Sequence, residues 1–71
     1  MTEREKAVLD FIDQNFEPGA VRIEDFPLFP YGKRLIDRDG GEMVVFFDLL
    51  RDQVDWTYPD VKKTAKNGRE N

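Results

Sequence analysis

The chain has 71 residues, of which 39% are hydrophobic and 37% charged, and it carries a formal net charge of -4. A chain of this length forms one small domain that uses most of its apolar residues for the core, which leaves little for a deep pocket. It contains no histidine and no cysteine. The commonest general bases, covalent nucleophiles and transition-metal ligands are therefore missing, and a disulfide scaffold is excluded. We expect a folded protein that is not an enzyme and that binds no cofactor or metal.

Hydropathy and charge indicate the cellular location of the protein and the charge of its binding partner. No apolar run approaches the roughly 20 residues that span a bilayer, and the charged start of the chain lacks the apolar region of a signal peptide, which predicts a cytoplasmic protein. Residues 1–61 hold 14 acidic and 7 basic side chains, whereas residues 62–71 hold 4 basic and 1 acidic. An acidic body repels nucleic-acid phosphates and favours a basic protein partner.

The clearest predicted element is an amphipathic helix over residues 2–16. Thr2 followed three residues later by Glu5 is a capping-box pattern, which would satisfy two free backbone amides at the helix start. Apolar side chains then recur at helical spacing: Val8, Leu9, Phe11, Ile12 and Phe16. Pro18 and Gly19 end the helix.

The next segment predicts a short strand and then a loop. Val21 and Ile23 flank Arg22 with a period of two, which is typical of a half-buried strand, and the shortness of residues 20–24 indicates an edge. Residues 26–32 hold three aromatic side chains around two prolines, which exclude both a regular helix and a central strand. We expect an extended loop there.

A β-hairpin is predicted over residues 33–47. Asp39, Gly40 and Gly41 supply its turn, since glycine adopts positive φ without steric cost. Residues 43–47 form a continuous apolar run with apolar side chains on both strand faces, so we expect this strand to be central. Because one helix covers only one face of a sheet, we also predict a homodimer through the uncovered face or through a sheet edge.

Residues 48–56 allow two interpretations. Val54, Trp56 and Tyr58 alternate with polar residues, which favours another strand. The alternative is a short helix capped by Asp48, with Leu50 and Val54 on one face. We favour the strand. Residues 1–60 then form a single α+β domain, one N-terminal helix packed on a small, mostly antiparallel sheet of three to four short strands, and residues 61–71 form a basic flexible tail.

The acidic residues carry weak signals for chemistry. Residues 37–42, Asp-Arg-Asp-Gly-Gly-Glu, are similar in composition to a calcium loop. With Gly40 at position 6 of an EF-hand loop, however, Leu35 and Phe46 occupy positions that require oxygen ligands, so a hairpin turn is the better interpretation. Four carboxylates are available for acid–base work, although nothing in their spacing selects a pair: Glu24, Asp25, Asp48 and Asp55.

Aromatic and basic side chains are the remaining candidates for binding. In the proline-bounded loop, Leu28, Phe29 and Tyr31 form either an exposed patch for a protein partner or a lid that closes the core. Trp56 and Tyr58 are candidates for the partner surface or for stacking single-stranded bases, with packing inside the fold as the structural alternative. The basic side chains of the tail are candidate contacts to nucleic acid or to an acidic surface: Lys62, Lys63, Lys66 and Arg69.

The sequence therefore predicts a non-enzymatic adaptor or inhibitor that binds another protein. One or two aromatic side chains would anchor the complex, and charge would steer its formation. The small size favours an origin in a prophage or another mobile element, so we expect a bacterial or phage source. The alternative function is a nucleic-acid-binding accessory protein that uses the basic tail and the sheet aromatics, with an affinity that falls steeply as salt rises.

Overall fold

The computed structural model describes residues 1–58. Helix α1 spans Glu3–Asn15, and four strands follow it: β1 Val21–Asp25, β2 Lys33–Asp37, β3 Glu42–Asp48 and β4 Gln53–Thr57. The predicted α+β class is confirmed, and the strand interpretation of residues 48–56 is the correct one. The predicted tail, residues 61–71, lies outside the described residues. No helix among residues 1–58 is long and apolar enough to cross a membrane.

Helix α1 begins at the predicted cap. The Thr2 backbone is extended, and its Oγ1 accepts a hydrogen bond from the Glu5 backbone N–H at 3.0 Å. The Glu5 carboxylate does not complete a capping box. It accepts a hydrogen bond from Lys33 Nζ at 3.2 Å, and so ties the helix to the sheet. The helix ends before Phe16, whose extended backbone donates its N–H to the Ile12 carbonyl at 3.0 Å.

The four strands form one antiparallel sheet in the order β1-β2-β3-β4. β1 is an edge strand and β3 an interior strand, as predicted, and β4 forms the second edge. Helix α1 packs over β3 and β4 on one face of this sheet. The buried core between the two layers consists of Val8, Ile12, Leu35, Val45 and Phe47.

The turn between β2 and β3 is the predicted Asp-Gly-Gly turn. The Asp37 Oδ1 accepts hydrogen bonds from the N–H groups of Asp39 and Gly41, at 2.9 and 2.8 Å. Gly40 has a φ of +87°, which explains why glycine is suited to this position. The carboxylate that composition alone associates with calcium therefore stabilises the hairpin turn.

The sheet face opposite α1, called the open face below, is covered by the chain itself where it is most apolar. Val44 is fully buried, and β-sheet register places it between Arg34 and Thr57. The Phe46 ring lies under the Phe29 ring, with 4.8 Å between the centroids. The need for cover on this face, on which the homodimer prediction partly rests, is thus met within one chain.

Candidate interaction surface

Three chain segments lie at the same end of the sheet: the start of α1, residues 26–32 between β1 and β2, and the turn between β3 and β4. The Arg4 guanidinium carbon lies 5.5 Å from the centroid of the Phe47 ring. The Phe47 N–H donates to the Pro30 carbonyl at 2.9 Å. We call this surface the apolar end, because four large exposed hydrophobic side chains belong to its segments: Met1, Leu28, Leu49 and Leu50.

The loop between β1 and β2 is closed by its own backbone. The Phe26 N–H donates to the Gly32 carbonyl at 2.9 Å, and the Gly32 N–H donates to the Phe29 carbonyl at 3.0 Å. A Cβ at Gly32 would overlap the Phe26 carbonyl oxygen, so a glycine is needed there. Tyr31 has a φ of +53°, a backbone region that residues other than glycine seldom adopt. These features hold Leu28 at the tip of the loop, where it is 80% exposed.

The aromatic side chains of this loop pack inward. The Phe29 ring centroid lies 5.7 Å from that of Phe26 and 4.8 Å from that of Phe46, and Phe29 is half-buried. Tyr31 packs against the core cluster. Of the three loop residues proposed for a partner patch, Leu28 is exposed, whereas Phe29 and Tyr31 have the positions expected of a lid.

The turn between β3 and β4 presents two leucines that the sequence interpretation did not select. The Asp48 Oδ1 accepts hydrogen bonds from the Leu50 and Arg51 N–H groups at 3.0 and 3.1 Å, which fixes the turn. Leu49 is 51% exposed and Leu50 is 99% exposed. A signal was present in the sequence: once residues 48–56 are taken as turn and strand, these leucines fall in the turn, away from the core.

Lys33 connects the loop end of β2 to the helix. Its Nζ lies 2.6 Å from Asp25 Oδ1 and 3.2 Å from Glu5 Oε2. The hydrogen bond to Asp25 raises the pKa of Lys33, burial opposes this, and Glu5 adds to the increase. A lysine that remains protonated is neither a base nor a nucleophile at neutral pH. Lys33 and Phe29 line a shallow cavity of about 480 Å³, to which Lys33 contributes a protonated ammonium group.

Trp56 and Tyr58 form a second exposed group. Their rings meet edge to face with 5.4 Å between centroids, and the two side chains are 45% and 61% exposed. Trp56 lies opposite Val45 in the sheet register, and Tyr58 follows at the end of the sheet far from Leu28. The structure thus brings the two aromatic residues together but separates them from the predicted loop patch.

The four carboxylates considered for acid–base work have other partners: Glu24, Asp25, Asp48 and Asp55. Glu24 lies 3.1 Å from Arg22 and 3.4 Å from Arg34, and Asp55 accepts a hydrogen bond from the Trp56 N–H at 2.8 Å. Asp25 binds Lys33, and Asp48 fixes the turn that follows it. Within residues 1–58, no three acidic side chains are grouped closely enough to hold a metal ion.

Most basic side chains of the described part of the chain are paired with carboxylates. Five of them lie within 3.9 Å of an acidic oxygen: Lys6, Arg22, Lys33, Arg34 and Arg51. A nucleic-acid phosphate would have to compete with these carboxylates for the same cations. The predicted tail contacts, Lys62, Lys63, Lys66 and Arg69, lie outside the described residues.

No protein-family model, curated protein or solved structure matches the chain.

Proposed function

We propose that this chain is a small cytoplasmic protein-binding module, an adaptor or inhibitor without enzymatic activity, and that it binds through its apolar end. The observation that carries the proposal is the exposure of two leucines, Leu28 at 80% and Leu50 at 99%, on neighbouring connections at one end of the sheet. Single exposed apolar side chains are common, but several at one site are typical of a surface that a partner covers.

The rigidity of the two connections supports the proposal. Leu28 follows Phe26 in a loop closed by backbone hydrogen bonds, and the Leu50 N–H is held by the Asp48 carboxylate. Side chains presented on fixed backbone lose less conformational entropy when a partner binds them. The apolar end therefore has the pre-organised geometry that favours binding.

Charge indicates the chemistry of the partner. Two carboxylates with no ion pair among residues 1–58 accompany the exposed leucines at the apolar end, Glu3 in the first helical turn and Asp52 in the β3–β4 turn. Asp25 is already neutralised by Lys33, and the one unpaired basic side chain that residues 1–58 place at this end, Arg4, lies over the Phe47 ring. A partner whose apolar side chains are flanked by basic ones would be attracted over a long range. We expect its association to slow as salt increases.

Capture from a bacterial lysate by the immobilised full-length chain tests the proposal when it is compared with two variants. The double variant Leu28→Ser with Leu50→Ser removes the exposed leucines, and Tyr58→Ser removes a similarly exposed side chain elsewhere. We expect a protein that is retained in stoichiometric amount, that survives nuclease treatment, that binds Tyr58→Ser and that is lost with the double variant. Equal retention by the double variant, or loss with Tyr58→Ser, would contradict the proposal.

Nucleic-acid binding is a second candidate, and the exposed Trp56–Tyr58 pair is the observation that favours it. Exposed aromatic rings can stack single-stranded bases, and the basic residues 62–71 would add phosphate contacts. Trp56 is the only tryptophan in the chain, so quenching of its fluorescence by a single-stranded oligonucleotide reports binding directly. This function requires quenching that weakens steeply with salt and with deletion of residues 62–71. Unchanged fluorescence eliminates it.

A further inference from the structure

The two edges of the sheet differ in how their outward backbone groups are satisfied. The Phe47 N–H points to the β2 side of β3 and donates to Pro30, in the loop that precedes β2. Since the direction alternates along a strand, Val45 also bonds toward β2, and Val44 and Phe46 bond toward β4. In this alternation Trp56 lies opposite Val45 and directs its own N–H away from the sheet, and the Asp55 carboxylate accepts that N–H at 2.8 Å. Asp55 thereby occupies a donor of the β4 edge that another strand would use.

The β1 edge is the more open of the two. The Phe26 N–H donates to the Gly32 carbonyl on the β2 side, so the alternation places Arg22 and Glu24 in the hydrogen bonds with β2. The other residues of β1 direct their N–H and C=O groups outward: Val21, Ile23 and Asp25. No side chain of residues 1–58 bonds these outward groups as Asp55 does in β4. Helix α1 packs over β3 and β4, near the opposite edge of the sheet, and so leaves the β1 edge uncovered.

We infer that β1 pairs with β1 of a second copy of this chain, antiparallel, with Ile23 on the two-fold axis. Ile23 then lies opposite the partner's Ile23, and Arg22 lies opposite the partner's Glu24. The outward groups of both strands meet in hydrogen-bonded pairs, which supply on the order of six hydrogen bonds. The product is one continuous sheet with four strands from each copy. This inference does not depend on the proposed function of the apolar end.

Charge selects this register over its neighbours. A shift by two residues in one direction would place Arg22 opposite the partner's Arg22, and a shift in the other direction would place Glu24 opposite the partner's Glu24; both repel. A shift by one residue would set outward groups against groups already bonded to β2. Only pairing about Ile23 makes opposite charges face each other, in the non-hydrogen-bonded pairs where side chains are closest.

The side chains on both faces of β1 fit the same arrangement. On the open face, Arg22 Nε already lies 3.1 Å from Glu24 Oε2, so two copies would complete a cluster of four alternating charges. On the α1 side, Ile23 lies opposite Leu35 in the register. Leu35 is buried, whereas Ile23 is 46% exposed because no strand of residues 1–58 lies beyond β1. The partner's Ile23 would cover this exposed apolar area.

Cysteine cross-linking provides the first test, because the natural chain has no cysteine. A hydrogen-bonded antiparallel pair has Cα atoms about 5.5 Å apart, within the range that a disulfide spans. We therefore expect Ile23→Cys to form a covalent dimer rapidly under mild oxidation, and the matched edge variant Trp56→Cys to remain largely monomeric. Slow cross-linking of Ile23→Cys, or faster cross-linking of Trp56→Cys, would overturn the inference.

Sedimentation equilibrium of the full-length chain provides the second test. A five-residue edge makes a small interface, so we expect the 8.4 kDa chain to approach twice its mass only at tens to hundreds of micromolar. Arg22→Glu should weaken the dimer about tenfold, because two symmetry-related pairs change from attraction to repulsion. Mixing Arg22→Glu with Glu24→Lys should restore pairing, since every facing pair is again opposite in charge.

A single-chain mass at every concentration, or an Arg22→Glu dimer as strong as that of the natural chain, would overturn the inference. Glu24→Lys places a second cation beside Arg34, so circular dichroism must confirm that this variant folds. If it does not fold, Arg22→Glu and the cysteine variants still decide the question.

Discussion

Replacing Phe29 by alanine tests whether the loop between β1 and β2 acts as a lid. The Phe29 ring contacts those of Phe26 and Phe46, and each aromatic pair contributes about 0.5–1.5 kcal/mol beyond the area that it buries. Truncation of a fully buried phenylalanine to alanine lowers the free energy of unfolding of a protein by about 3–5 kcal/mol. Because Phe29 is half-buried, we expect the free energy of unfolding to fall by about 2 kcal/mol. For a domain of this size that loss lowers Tm by about 8–16 °C.

The neighbouring residue provides a matched control for this measurement. Leu28 is 80% exposed, so Leu28→Ala should change the free energy of unfolding by less than about 0.5 kcal/mol. Urea denaturation followed by circular dichroism gives both values under the same conditions. Equal stability of the two variants would refute the lid interpretation. If Phe29→Ala also lost the captured partner while remaining as stable as the natural chain, Phe29 would belong to the binding patch.

Three further predictions concern the connections and the Lys33 ion pairs. The hydrogen bonds to Asp25 and then to Glu5 raise the pKa of Lys33 above its ordinary value of 10.5. The stability that protonated Lys33 contributes is therefore fully present below pH 10.5 and is lost as the pH rises through the pKa of the folded state. The difference in unfolding free energy between the natural chain and Lys33→Met should therefore shrink at strongly alkaline pH, and a constant difference would contradict the sign. Gly32→Ala should destabilise the fold by at least about 2 kcal/mol in urea denaturation, because its Cβ overlaps a backbone carbonyl; a neutral effect would mean that the loop can open. A Cβ at Gly40 would meet no atom within 4 Å, but the residue has a φ of +87°. Gly40→Ala should therefore lower the free energy of unfolding by only about 1–2 kcal/mol in the same measurement. A larger loss would contradict the open surroundings of this turn.

The regular elements of this fold follow from sequence because local patterns determine them. Helical spacing of apolar residues after Thr2 predicts α1, and the run of residues 43–47, apolar on both faces, predicts an interior strand. The Asp-Gly-Gly turn follows from the conformational freedom of Gly40. In each case a few residues adjacent in sequence determine the type of element. The strand pairing of the folded sheet then fixes the neighbours of each element but does not change its type.

The candidate site could be predicted only in part, because loop side chains have no periodicity to orient them. Leu28 and Phe29 are adjacent and both apolar, yet one is exposed and the other packs on Phe46. Their directions depend on the closure of the loop at Gly32 and on the positive φ of Tyr31, which are properties of the folded backbone. Leu50 lies in the turn before β4, where it is 99% exposed, and an apolar residue in a turn has no repeating pattern that marks it as a binding residue.

The geometry of the proposed dimer bears on how the proposed function would operate. The apolar end lies at the C-terminal end of β1, and antiparallel pairing about Ile23 directs the two copies of that end away from each other. A dimer would therefore present Leu28 and Leu50 at two opposite ends of a continuous sheet, and could hold two partner molecules apart. An adaptor that bridges two molecules needs this arrangement, whereas an inhibitor that covers one molecule does not. The mass of the captured complex distinguishes them: two chains with two partners support bridging, and loss of the second partner in Arg22→Glu would assign that bridging to the β1 edge.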